Sequence, residues 1–369
     1  MQGMKPRFCR WLPLLAIGLG ASLPTAVNAE GQHEFMLLPS IDLLGVGDQS
    51  PRDTIDSDAR AAADVFYSYT GGRFRVLGEY LLSSDESELE RLQAGWSLSE
   101  HTMLWVGRFH SPASFWISEF HHGHYLQTSI TRPSLEQWED ESGAVPAHIT
   151  GLNFEFDRDL QSGAAFSTSL AAGLAPQFVG EGLVPFDVLD PESGHGPSLS
   201  MRIAYRPDLF TSAQYGIIAS WNEIEVVRGS NPGLADLDRI DQLAAGVFAD
   251  LQWSDWRVIG SALYYNNELR YDGYHVSDSY FLFYLQPEYS LTDTWTVFGR
   301  VDIGDGEDDS VFLGLLPTFV AHRNMLGLRW DFARSQALTV EIADTSQQGD
   351  DTEHEHYKEI RLQWSAVIR

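Results

Sequence analysis

Apolar and polar residues alternate along most of this chain, in segments of about ten residues that are separated by turns. A clear example is the segment with Leu92, Ala94, Trp96 and Leu98 on one face, followed by a second arm whose alternate residues run from Met103 to Phe109. Side chains of a β-strand point to opposite faces in turn, so this period predicts strands with one apolar and one polar face. The pattern therefore predicts an all-β fold built from hairpins.

The connections between these segments alternate between short and long. The long ones fall at residues 39–60, 83–88, 111–146, 175–196, 223–239, 267–277, 304–321 and 345–354. Seven short turns lie between them, which predicts a single antiparallel transmembrane β-barrel of 16 strands with both termini on the periplasmic side. The soluble alternative is a sandwich or jelly roll, since a solvated sheet face also alternates.

The first residues have the pattern of a secretory signal peptide. Lys5, Arg7 and Arg10 precede a short apolar run, and small residues end the segment at Ala29. We therefore expect residues 1–29 to be a signal peptide and residues 30–369 to form the barrel. The later sequence has no apolar run long enough for a membrane helix, so a membrane-spanning chain would have to be a closed barrel. The expected location is the outer membrane of a Gram-negative bacterium.

The formal net charge of −28 argues against a nucleic-acid partner, because phosphate binding needs a basic surface. The only cysteine, Cys9, lies in the expected signal peptide. No motif predicts a cofactor. Acidic residues cluster in the long connections, where they are solvated tips or bind divalent cations next to lipopolysaccharide. The expected partners are therefore outer-membrane lipid, lipopolysaccharide and small solutes.

Basic residues lie opposite the apolar strand faces and are expected to line the lumen. They are Arg75, Arg108, His110, Arg202, Arg257, Arg300, Arg329 and Arg361. Two interpretations stay open. The arginines pair with lumen acids and hold water-facing walls together, or they form a track that draws anions through a pore.

The connection at 111–146 is long and contains several aromatic and histidine residues that are costly to leave in water. We expect it to fold inward as a constriction loop, with Trp116, His121, His122, His124, Tyr125 and Trp138 as its main side chains. His121, His122 and His124 are also weak candidates for a metal site. Hydrogen-bonding histidines without a metal are the favoured interpretation, because no spacing here is diagnostic.

The strand end Gly107-Arg108-Phe109, followed by Pro112 and a long loop, resembles the phosphate-selective porins and related sixteen-stranded barrels. The resemblance implies a loop that forms the constriction, and a homotrimer. The chain lacks the lysine clusters that a phosphate pore would favour, so phosphate specificity is not carried over.

These features together predict a porin-type channel for passive diffusion of small solutes or ions. The first alternative is a plugged barrel that binds a metal or a partner protein. The second is an outer-membrane lipid hydrolase, for which Ser111 and Ser129 follow histidines in sequence. Neither serine lies in a nucleophile-elbow motif or has a recognisable acid partner, so no enzymatic activity is expected.

Overall fold

The computed structural model describes residues 31–47, 58–84, 87–120, 123–137, 143–189, 191, 193–228, 234, 236–307, 309–316, 318–348 and 354–369. The expected signal peptide, His121, His122 and Trp138 lie outside these described residues.

Eighteen strands make up one sheet in the described part of the chain. They are β1 (Gln32–Val46), β2 (Asp58–Gly71), β3 (Phe74–Ser83), β4 (Ser87–Ser99), β5 (Thr102–His110), β6 (His148–Asp159), β7 (Ala165–Leu174), β8 (Gln177–Val179), β9 (Gly182–Val184), β10 (Pro197–Arg206), β11 (Gln214–Val226), β12 (Leu237–Trp253), β13 (Trp256–Tyr271), β14 (Tyr274–Thr292), β15 (Trp295–Asp305), β16 (Val320–Ala333), β17 (Gln336–Gln348) and β18 (His354–Ala366). A short helix, α1 (Phe115–Phe120), and 3₁₀ turns at Ser134–Glu136 and Leu313–Leu315 complete the elements used below. No described helix has the length and apolar character needed to cross a membrane.

Sixteen of these strands form a closed antiparallel barrel, as the alternation predicted. The barrel closes because β1 pairs with both β2 and β18. The remaining two strands, β8 and β9, form a small hairpin inside the connection at 175–196, and β8 pairs in parallel with the end of β11. Closure pairs the backbone groups of the first and last strands, which leaves the wall without a free edge.

The outer surface of the wall is apolar along most of its strands. Leu326 on β16 is 63% exposed, and its neighbours Ile342 on β17 and Ile360 on β18 are similarly exposed. Aromatic rings lie near the short turns, where Trp295 and Trp330 stack with centroids 5.2 Å apart. An apolar belt bordered by aromatic residues is the surface of a barrel that spans a membrane.

The observed connections differ most from the sequence prediction in the hairpin of β13 and β14. Residues 267–277 were expected to form a long loop, but β13 and β14 remain paired up to a two-residue turn between Tyr271 and Tyr274. The rings of these two tyrosines stack with centroids 4.7 Å apart. The polar composition of this segment therefore belongs to a hairpin tip, and the prediction of a long loop here is wrong.

The faces of β5 also differ from the prediction, which put Met103, Trp105 and Phe109 on the lipid side. All three are buried, whereas Val106 is exposed. The indole nitrogen of Trp105 donates a hydrogen bond to the Glu155 carboxylate (2.8 Å), which satisfies its polar group inside the barrel. Both faces of this strand carry apolar residues, so alternation alone cannot tell which face is outward.

Candidate functional site

The connection between β5 and β6, residues 111–147, folds into the barrel, and we call it the inner loop. Its two ends are joined where the backbone N–H of Ser111 donates to the carbonyl of Ala147 (2.7 Å). The loop then forms α1, with Phe115 and Trp116 fully buried. A segment this long with buried aromatic residues is a packed part of the structure.

The inner loop packs on an apolar patch of the inner wall formed by β11–β14. Phe115 stacks on Phe248 of β12 with ring centroids 4.6 Å apart. Trp116 meets the ring of Tyr284 of β14 edge-on at 5.8 Å, and its indole N–H donates to the Gln127 side-chain oxygen (2.9 Å). One side of the lumen is therefore filled by protein, and the loop has a fixed position against that side.

Glu136, in the 3₁₀ turn Ser134–Glu136 of the loop, is buried beneath α1. It accepts hydrogen bonds from the Ser114 hydroxyl and from the backbone N–H groups of Phe115 and Trp116. Its carboxyl group thus binds the otherwise unpaired N–H groups at the start of the helix. Removal from water dominates over these bonds and raises the pKa of Glu136 to about 7.

Arg300 on β15 is the most deeply enclosed of the predicted lumen arginines, with a fully buried side chain. Its guanidinium donates to the backbone carbonyls of Thr131 (2.7 Å) and Arg132 (2.8 Å), and pairs with Asp302 (3.2 Å). A planar five-donor group suits this role because it can bind several acceptors at once. Arg300 therefore holds the middle of the inner loop to the wall.

Two further wall residues bind the same loop. Arg329 on β16 donates to the backbone carbonyls of Tyr125 (3.0 Å) and Gln127, and its guanidinium lies 5.0 Å from the Tyr125 ring. Glu341 on β17 accepts from the backbone N–H of Thr131 (3.2 Å) and from its hydroxyl (3.1 Å). Charged wall residues thus satisfy the backbone groups of a loop that is shielded from water.

Other predicted lumen arginines also have acidic partners. Arg202 contacts Glu119 of the loop (3.0 Å), Arg257 pairs with Asp250 (2.7 Å), and Arg361 pairs with Glu359 (2.8 Å). Arg75 is exposed. It is paired in register with Gly95, which belongs to the inward face of β4, so Arg75 lies on the inward face as well. These contacts favour the interpretation in which lumen arginines hold the walls and the loop together.

Arg108 and His110 are placed differently from the expected lumen positions. They follow the exposed Val106 at intervals of two residues, and Arg108 is paired in register with Leu92, which is also exposed. Both therefore lie on the outward face of the wall. They are nevertheless buried, and Arg108 donates to the carbonyl of Phe186 in the connection at 175–196 (3.3 Å).

The other described residues that were predicted for the constriction loop make separate contacts. The Nδ1 atom of His124 lies 3.0 Å from the side-chain nitrogen of Gln363 on β18. The hydroxyl of Tyr125 donates to the carbonyl of Arg334 (3.3 Å). His110 and His148 lie together elsewhere, close to Glu90. The metal candidates His121, His122 and His124 stay a prediction, because two of them are outside the described residues.

A cavity of about 360 Å³ lies between the inner loop and the wall formed by β1, β2 and β16–β18. Arginines and aspartates supply its charged lining, namely Arg60, Arg132, Arg323, Arg361, Asp42 and Asp58. This polar space contrasts with the apolar packing on the opposite side of the loop. The inner loop thus has one side packed on apolar wall residues and another side that borders this polar cavity.

The sequence carried a signal for the filled part that alternation overlooks. Residues 280–285 read YFLFYL, so both faces of β14 are apolar. One face meets lipid and the other needs an apolar partner inside the barrel, as Tyr280, Leu282 and Tyr284 show by their burial. A strand whose two faces are both apolar, in a barrel whose lumen is otherwise polar, therefore predicts where an inserted loop packs.

A closed sixteen-stranded antiparallel barrel with one long loop folded inside is the architecture of bacterial outer-membrane porins, and this chain has that fold. It is similar to the anion-selective porin of Comamonas acidovorans (TM-score 0.58, 11% identity, covering 92% of this chain and 100% of that one). It is also similar to the outer-membrane channel DcaP of Acinetobacter baumannii (0.58, 11%, 93% and 99%) and to the trimer form of OmpT of Vibrio cholerae (0.52, 12%, 92% and 99%). No family model matches the chain, and no curated protein matches its sequence.

Proposed function

We propose that the protein is a porin-type channel in a bacterial outer membrane, through which small hydrophilic solutes diffuse passively. The observation that carries the proposal is the divided lumen: the inner loop is fixed to one side, and a polar cavity remains on the other. A wall that sets the diameter and a charged lining that sets the field are sufficient for diffusion, and no chemical step is required. The similar channels of C. acidovorans and A. baumannii support the same assignment.

The charges around the cavity favour anions as the preferred solutes. Four of the lining residues are arginines and two are aspartates. Glu359 is not part of the lining, but its carboxylate pairs with Arg323 (3.3 Å) and with Arg361 (2.8 Å). An excess of positive groups at a narrow passage lowers the barrier for anions and raises it for cations. The inner loop would then act as the constriction, while Arg300 and Arg329 hold it in place.

The test is single-channel conductance of the folded protein in a planar bilayer, with a salt gradient across the membrane to give the reversal potential. We expect stable conductance steps with anion preference. Arg361→Gln should reduce that preference, and Asp58→Asn should increase it, because the two changes alter the lining charge in opposite directions. Arg228→Gln is the control, since Arg228 pairs with Asp238 and its side chain is 57% exposed.

A barrel that is shown to be folded but conducts no ions would contradict the channel proposal. That result would favour the plugged barrel, which the large buried cluster around Phe115 and Trp116 also supports. Stable steps whose selectivity is unchanged in both variants would keep the channel and contradict the role of the cavity charges. Conductance that persists in all variants with cation preference would reverse the assignment of the solute class.

The lipid-hydrolase alternative has less support. Ser129 lies in the inner loop, where its hydroxyl donates to the Thr131 carbonyl (3.0 Å) and accepts from Arg300 (3.4 Å). The Ser111 hydroxyl accepts from the backbone N–H of Ala113 (3.4 Å). A lipid hydrolase needs its nucleophile beside the bilayer, whereas these hydroxyls take part in loop and turn hydrogen bonds. We therefore propose a non-enzymatic protein.

The partners follow from the same proposal. Outer-membrane lipid and lipopolysaccharide would cover the apolar outer belt, in which Leu326 and Ile342 are exposed. A homotrimer is proposed by similarity to the trimer form of V. cholerae OmpT. Cross-linking of the protein in outer-membrane preparations would test the trimer, which a purely monomeric product would contradict.

A further inference from the structure

Three ligand-type side chains converge on the wall at the base of the inner loop. They are Glu90 from β4, His110 at the end of β5 and His148 at the start of β6, all buried. One ligand atom from each lies within 4.8 Å of those from the other two. The Nε2 atom of His148 is 2.9 Å from Oε2 of Glu90, and the two imidazole rings have centroids 5.2 Å apart.

The strand register explains why these residues meet. His110 and His148 are paired directly across β5 and β6, so their side chains share one face. Glu90 lies at a bulge in β4, where Glu79 of β3 pairs with Arg91 and Tyr80 pairs with Leu89. A bulge redirects the extra residue and is a common device next to functional sites. Three neighbouring strands thus present one ligand each at the same height of the wall.

The local charges suit a cation. Glu88 and Glu90 supply two carboxylates, and Arg108 supplies one guanidinium, which pairs with Glu88 (2.5 Å). With neutral imidazoles, the two carboxylates and the guanidinium together give this group one net negative charge. A bound divalent ion would change the net charge of the group to plus one. Arg108 would stay in place, because it already binds Glu88 and the Phe186 carbonyl (3.3 Å).

We propose that Glu90, His110 and His148 bind a divalent transition-metal ion, with Zn²⁺ as the best match and a water molecule as the fourth ligand. Two histidines and one carboxylate form a donor set that zinc uses in proteins. Zinc–ligand bonds of about 2.0–2.1 Å require ligand atoms about 3.3 Å apart. The present separations reach that spacing with shifts of about 1.5 Å or less, which side-chain rotations can supply.

The position gives the metal a consequence for the inner loop. His110 and His148 are the residues that immediately precede and follow the loop, and the Ser111–Ala147 backbone bond lies directly beside them. A bound ion would link the end of β5 to the start of β6 through coordination bonds. The link would limit the motion of the inner loop at its base. This site is distinct from the candidates His121, His122 and His124, and it does not depend on the channel proposal.

The experiment is a titration of the folded full-length barrel in detergent micelles. Zn²⁺ binding is measured by isothermal titration calorimetry, and Co²⁺ binding by the visible d–d absorption that reports nitrogen ligation. We expect one equivalent of either ion. His110→Ala, His148→Ala and Glu90→Gln should each weaken binding by at least about tenfold, because each removes a direct ligand. His322→Ala is the matched control, since His322 also lies beside a carboxylate, Glu307 (3.0 Å).

The rival loop site is tested with the triple variant His121→Ala, His122→Ala, His124→Ala. Binding that survives in this variant and is lost in His148→Ala supports the proposal. Binding that is lost in the triple variant but kept in His110→Ala and His148→Ala overturns it, as does the failure of the unmodified protein to bind either ion. Folding of each variant is checked by its heat-dependent mobility in gels. Should His148→Ala not fold, His110→Ala and Glu90→Gln decide: loss of Co²⁺ binding in both supports the proposal, and unchanged binding in both overturns it.

Discussion

Arg300 offers the sharpest test of how the inner loop is held. Arg300→Met keeps most of the side-chain volume but removes the charge and every donor. It leaves Asp302 fully buried without its closest arginine, and it removes the hydrogen bonds to the Thr131 and Arg132 carbonyls. Removing one partner of a buried ion pair costs about 3–5 kcal/mol. We expect the free energy of unfolding to fall by that amount.

The double variant Arg300→Met, Asp302→Leu separates the two effects. Removing both charges should recover part of the lost stability, because a buried pair can be replaced by apolar groups at little cost. The loop would lack its contacts with Arg300 in both variants, while those with Arg329 and Glu341 would remain, so channel current should be noisier in both. The assays are urea unfolding in lipid vesicles and single-channel recording.

Arg228→Ala serves as the control for Arg300, since the exposed Arg228–Asp238 pair should contribute no measurable stability. A loss below about 1 kcal/mol for Arg300→Met, with steady current, would refute the anchoring role. Failure of the double variant to recover any stability would show that loop contacts, and not the buried Asp302, account for the loss.

Three further predictions concern the loop and the wall. Burial raises the pKa of Glu136 to about 7. The stability that its protonated carboxyl contributes is therefore fully present below its unfolded pKa of about 4.5 and is lost as pH rises through about 7, by up to about 3 kcal/mol. The free energy of unfolding of Glu136→Gln, measured at pH 5 and pH 8, should lack this decline, and a decline identical to that of the unmodified protein would contradict the prediction. Phe115→Ala removes the stack on Phe248 and should lower the unfolding free energy by about 3–5 kcal/mol, whereas Phe210→Ala, at a 95% exposed turn residue, should not change it. Leu326→Arg should cost about 2–4 kcal/mol in lipid vesicles, and an unchanged stability would argue against lipid contact at this position.

Local pattern is enough to predict most strands, because the period of two is a property of each segment alone. The hairpins around Ser254-Asp255 and Thr292–Trp295 follow the apolar–polar alternation of their sequence, with Val247 and Leu291 outward. The faces of β5 could not be predicted in this way, because Trp105 and Val106 are both apolar. In the structure Trp105 is buried and donates a hydrogen bond to Glu155 of the neighbouring strand, whereas Val106 is exposed.

The sequence predicted which kinds of residues the inner loop contains, but not which wall residues they contact. The aromatic content of residues 111–146 indicated a packed inner loop, and Trp116 of this segment is fully buried. The partners were not accessible from the sequence. Arg300 and Arg329 bind backbone carbonyls of the loop, and backbone acceptors leave no signature in a sequence.

The sequence by itself determined the period of the strands, the sixteen-stranded barrel and the presence of a long aromatic loop, since each depends on residue type and spacing along the chain. Only the tertiary structure decided which arginines anchor the loop, that Arg108 and His110 lie on the outward face, and that His110 meets His148 and Glu90. The physical reason is that these relations join residues of different strands. They are set by register, by bulges and by the side of the lumen on which the inner loop finds apolar partners.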